Sequence, residues 1–68
     1  MTYDCKRSLK AQELDPTVSI YRGINSDWAD FKTQQPAVEF HDWMCRNHMG
    51  GASLCYSKHN NIYEVRWR

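Results

Sequence analysis

The stretch "SLCYSKHNNIYEVRWR", residues 53–68, decides the fold. Bulky apolar residues alternate with polar ones on both sides of Asn60-Asn61, and asparagine tolerates the positive φ that a tight hairpin turn demands. A two-residue turn at this pair predicts antiparallel strands whose opposed residue numbers sum to 121, so that Leu54 faces Trp67, Tyr56 faces Val65 and Lys58 faces Tyr63. All the bulky apolar residues except Ile62 then share one side. A slip of one residue would invert every side chain, which favours this register over a three-residue loop. Cys55, Ser57, His59, Ile62, Glu64, Arg66 and Arg68 are expected on the outer side.

Before the hairpin, "QPAVEFHDWMCRNHM" reads as a helix over about residues 35–49. Thr33 or Gln35 can cap it, Pro36 suits a first turn, Gly50-Gly51 supplies a left-handed stop, and Asp42 precedes Arg46 by four. "TVSIYRG" alternates like a half-buried strand with Val18 and Ile20 on one side. After loop residues 23–27, "WADFKT" returns as a partner strand with Ala29 and Phe31 inward and Trp28, Asp30 and Lys32 outward; a short helix capped by Ser26 is the rival. Asp15-Pro16 marks a turn. Residues 3–12 read as a strand, with helix over "SLKAQEL", capped by Ser8, as the alternative. The expectation is an α+β fold, a small antiparallel sheet of four to five strands including the C-terminal hairpin, packed on one α-helix.

Sixty-eight residues suffice for a single small globular domain, residues 1–68, and leave no core to spare for a roomy cleft. With hydrophobic residues at 41% and aromatics at 13%, the chain has the composition of a folded protein, expected to stand alone or as a homodimer with a symmetric copy. The formal charge is +1, so no global field draws it to nucleic acid or acidic lipid, although two basic ends flank an acidic middle. Cys5, Cys45 and Cys55 are an odd number with no export-type segment ahead of them, which suggests reduced thiols in a cytoplasmic protein. No apolar run approaches bilayer-spanning length.

His41, Cys45 and His48 share the helical spacing of a zinc half-site. Closure needs another donor, and Cys55 and His59 are expected on the far side of the sheet; Cys5 is a further candidate. The structural reading is therefore preferred: His41 as a core histidine bonded to a strand or tyrosine, His48 at the helix C-terminus, and no metal or other cofactor. No nucleophile, base and oxyanion donor come together, which argues against an enzyme. Gly50-Gly51 is explained as a helix stop and not as a phosphate loop.

With one helix covering one face of the sheet, the other face meets water or a partner. Tyr21, Trp28, Lys32, Ser57, Glu64, Arg66 and Arg68 are expected there, and of these Tyr21, Trp28, Lys32, Glu64, Arg66 and Arg68 form the candidate partner-binding set. Tyrosine, tryptophan and arginine are the residue types that dominate binding hot spots. The expected function is a non-catalytic protein-binding module, a small inhibitor or adaptor of a larger enzyme. The alternatives are a sheet that stacks single-stranded nucleic acid on Tyr21 and Trp28, and a small zinc-stabilised domain. In size and layout the chain resembles the compact inhibitors that bacteriophages encode to disable host enzymes, which implies a protein partner.

Overall fold

The computed structural model describes residues 5–47 and 51–68. In chain order the elements are α1 (Cys5–Leu14), β1 (Ser19–Arg22), β2 (Asp27–Phe31), α2 (Gln34–Arg46), β3 (Ser53–Ser57) and β4 (Ile62–Trp67). The strands form one antiparallel sheet in the order β1-β2-β4-β3, so the last strand lies between β2 and its own hairpin partner. The α+β class, the antiparallel sheet and its packing on the predicted helix all hold. Among the described residues the strands number four, and a second helix joins the first.

That second helix corrects the strand expected at residues 3–12; residues 3 and 4 lie outside the described residues. "CKRSLKAQEL" contains no β-branched or aromatic residue and is rich in good helix formers, so local propensity opposes a strand. Ala11 is fully buried and Lys10 holds its ammonium 5.9 Å from the centre of the Trp43 ring, which docks α1 along α2. The Asp15-Pro16 turn forms as expected. Asp15 Oδ1 accepts from the Thr17 backbone N–H at 2.9 Å and from the Thr17 hydroxyl at 2.7 Å, and the Val18 N–H closes the turn onto the Asp15 carbonyl at 3.0 Å.

The core lies on one face of the sheet. Ala29 and Phe31 of β2 and Val65 and Trp67 of β4 alternate inward, and Ala37, Phe40 and Met44 of α2 come down on them. Phe40 is central: its ring centre is 5.6 Å from Phe31, 5.6 Å from Trp67 edge-on and 6.1 Å from Trp43. Burying each such side chain contributes about 1.5–3 kcal/mol. The buried stripe of α2 thus runs through Ala37, Phe40 and Met44, with the larger Trp43 ring half-buried on its flank. His41 is only half-buried and Cys45 is exposed.

The closing hairpin keeps its predicted faces but not its predicted register. Leu54 pairs with Val65, Tyr56 with Tyr63 and Ser57 with Ile62, a shift of two residues that leaves a four-residue turn at positions 58–61. A two-residue turn of the expected type needs positive φ at both central residues, and here Asn61 alone adopts it, at 54°. The Asn60 N–H reaches the Ser57 carbonyl at 3.3 Å inside the wider turn. Since the shift is even, Leu54, Tyr56, Tyr63, Val65 and Trp67 still share a side.

Helix α2 ends at Arg46, short of the expected residue 49. The Asn47 side-chain amide donates to the Trp43 carbonyl at 2.7 Å beside the Asn47 backbone N–H at 3.1 Å, and this local bonding stops the helix. Gly51 takes a φ of 69° on the way into β3; Gly50 lies outside the described residues. Arg46 Nε approaches the Asp42 backbone carbonyl at 3.5 Å instead of its carboxylate. Thr33 caps the other end with extended backbone alone, and Pro36 falls in the first turn.

Candidate interaction surface on the outer sheet face

Both helices lie on the core side, and no helix among the described residues covers the opposite face of the sheet. The register builds that face in rows. Tyr21 of β1 sits beside Trp28 of β2, and Trp28 beside Arg66 of β4. The Tyr21 and Trp28 rings are stacked with centres 5.7 Å apart and 17° between planes, and the Arg66 guanidinium carbon lies 4.6 Å from the Trp28 ring centre. Trp28 is flanked on both strand neighbours, by a ring and by a cation, each contact worth about 0.5–1.5 kcal/mol.

Arg66 is held from further directions. It donates from Nε to Glu64 Oε2 at 2.9 Å, its Nη2 lies 2.8 Å from the same oxygen, and Nη1 reaches the Ser26 hydroxyl at 3.4 Å. Ser26 ends the β1–β2 loop, where the Gly23 N–H donates to the Ser26 carbonyl at 2.8 Å. A Cβ on Gly23 would come within 2.6 Å of that carbonyl oxygen and 2.9 Å of Trp28 Cζ3. Glycine at position 23 therefore lets the loop fold tightly under the tryptophan. At the loop tip Ile24 is 99% exposed, an aliphatic side chain with no folding role.

In the next row Asp30 of β2 stands opposite Glu64 of β4, and Glu64 opposite Cys55 of β3. Asp30 Oδ1 is shielded from solvent without a hydrogen-bond partner. Burial raises the Asp30 pKa above its ordinary value, the Glu64 charge raises it further, and Arg66 opposes both. Two like charges facing each other across strands cost stability, as does a buried oxygen left unbonded.

Four of the six predicted site residues, Tyr21, Trp28, Glu64 and Arg66, are brought together here. Arg68 is adjacent, lining a shallow depression of about 280 Å³ with Arg66, Asn25, Ser26, Gly51 and Ser53. Lys32 is set apart. It lines a second open depression, of about 700 Å³, with Leu14, Thr17, Thr33, Pro36 and Glu39, because the chain turns into α2 directly after Phe31. Ile24 and Ser26 were missed by sequence reasoning; an isolated isoleucine in a polar turn, "GINS", was the available signal.

His48 lies outside the described residues, and the remaining helix pair places Cys45 Sγ 3.9 Å from His41 Nδ1. Neither a strand nor a tyrosine bonds His41 in the way expected of a core histidine; its described polar neighbour is that thiol. Cys55 and His59 are exposed, and no group of three potential ligands gathers among the described residues. No helix among the described residues is long and apolar enough to cross a membrane. No protein-family model, curated protein or solved structure matches the chain.

Proposed function

We propose that this chain is a non-catalytic protein-binding module, acting as a small cytoplasmic inhibitor or adaptor of a larger enzyme through the outer sheet face. The observation that carries the reading is the Tyr21–Trp28–Arg66 row, tied by Glu64 and Ser26 and bordered by the bare Ile24 side chain. The row combines large aromatic area with a fixed guanidinium fork, the pairing that anchors protein interfaces. The neighbouring Asp30–Glu64 pair adds a stability cost with no benefit to the core, as is common where a surface is kept for function.

A protein partner suits this face better than single-stranded nucleic acid. Base stacking needs an open ring face, whereas Trp28 has Tyr21 on one side and Arg66 on the other. Arg66 is already neutralised by Glu64, so the face lacks the positive excess that tracks phosphates.

The test is comparative capture from lysate by the wild type, Trp28→Ala, Arg66→Ala and a control, Glu13→Ala, on the exposed side of α1. A partner retained by wild type and Glu13→Ala, and weakened about tenfold or more by both other variants, supports the face. Equal recovery by all four rejects it. Oligonucleotide binding with a steep salt dependence, lost in the same two variants, would move the function to nucleic acid.

A further inference from the structure

We infer that the free edge of β3 pairs with the β3 edge of a second copy, joining two sheets into one of eight strands. β3 is the last strand of the sheet, with β4 on one side, and among the described residues no strand lies on the other. An edge presents a row of backbone donors and acceptors, and folded proteins guard such rows with charge, proline or a bulge. This edge has none of the three. Its sequence, "SLCYS", is uncharged, contains no proline, and keeps unbroken one-to-one register with β4 from Ser53 to Ser57. The other edge, β1, is shorter by one residue and ends in Arg22.

The edge is also self-complementary. Directly opposed residues of an antiparallel pair point to the same face, so a two-fold axis normal to the joined sheet must pass midway between two copies of one residue. Placing it at Cys55 uses the whole strand: Ser53 meets Ser57 of the second copy, Leu54 meets Tyr56, and Cys55 meets Cys55. No charge opposes a like charge, and Lys58 falls beyond the paired residues. On the helix side, Leu54 is half-buried and Tyr56 is 49% exposed, its ring 4.6 Å from Tyr63 and its hydroxyl 2.8 Å from Asn61 Oδ1. Leu54 of the second copy would cover the uncovered flank of that tyrosine. The occupant is therefore a second copy and not an unrelated strand, since the row meets its own reverse with no opposed charges, serine against serine, and a leucine against the open flank of each tyrosine.

Five paired residues a side make a small interface, at or below about 1,200 Å², so the dimer should be reversible and concentration-dependent. The experiment is sedimentation equilibrium of the full chain under reducing conditions from about 10 µM to about 1 mM, with Cys55→Lys and Cys55→Glu beside wild type. Cys55 is exposed on the outer face opposite Glu64, so Cys55→Lys gains an opposite charge within its own sheet whereas Cys55→Glu adds a like one, and circular dichroism with thermal melts verifies that each variant is folded at the temperature of the experiment. Like charges meeting on the axis should weaken each variant's self-association by about tenfold or more, and mixing the two variants should restore it. A wild type monomeric throughout, or variants that dimerise as well as wild type, overturns the inference. The inference is independent of the docking face: Trp28→Ala should dimerise like wild type even where it loses a partner.

Discussion

Asp30 permits the sharpest quantitative expectation. Replacing it with asparagine keeps the shape and removes the charge that burial and Glu64 disfavour. A carboxylate whose folded pKa is raised binds its proton more tightly in the native state than in the unfolded chain. Native stability then falls as pH rises from the unfolded value, near 3.8, through the raised folded value, and the full penalty is present above it. The penalty combines partial desolvation with cross-strand repulsion from Glu64 at about 0.2–1 kcal/mol, offset in part by attraction to Arg66. A net gain of about 1 kcal/mol at pH 7 is expected for Asp30→Asn, equivalent to a rise in Tm of about 4–8 °C for a domain of this size. Urea unfolding of both proteins at neutral and acid pH isolates the effect, because every other group is common to both. The gap should be widest at neutral pH and close below the unfolded pKa. A variant no more stable than wild type at neutral pH, or a gap that ignores pH, refutes the reasoning.

Two further substitutions probe the frame of the outer face. Gly23→Ala forces a Cβ against the Ser26 carbonyl and the Trp28 ring, so it should destabilise the domain by about 1–3 kcal/mol and shift the tryptophan emission, read by fluorescence-monitored denaturation; unchanged stability and spectrum would contradict the close approach. Asn61→Val places a β-branched residue at a φ of 54° and removes the acceptor for the Tyr56 hydroxyl, costing about 1–2 kcal/mol, whereas Asn61→Gly should cost less because it relieves the backbone; equal losses in thermal melts would mean the turn conformation is unimportant.

The sequence carried much of the fold because the strands alternate cleanly. Ala29 and Phe31 inward with Trp28 and Asp30 outward follow from period-two patterning alone, as does the shared side of Val65 and Trp67. The hairpin register was less legible. Faces depend only on parity, and a four-residue turn preserves the parity of a two-residue one, so the pattern could not separate them. Over residues 3–12 the strand was preferred to the helical alternative, whereas the absence of β-branched residues from "CKRSLKAQEL" spoke for the helix. In the site, Tyr21, Trp28, Glu64 and Arg66 assemble as parity implies, whereas Lys32 departs because a strand's pattern cannot say where the chain bends away. The contacts of Arg66 with Ser26 depend on loop closure across forty positions, which no local pattern encodes.

Arg66 also bears on how quickly and tightly a complex could form. A free arginine loses most of its rotamer freedom when a partner captures it, at roughly 0.5–1.5 kcal/mol for a flexible side chain. Here a ring, a carboxylate and a hydroxyl already confine the guanidinium. Much of that ordering takes place when the chain folds, so under the proposed function an incoming protein would have little rotamer freedom left to remove at this side chain.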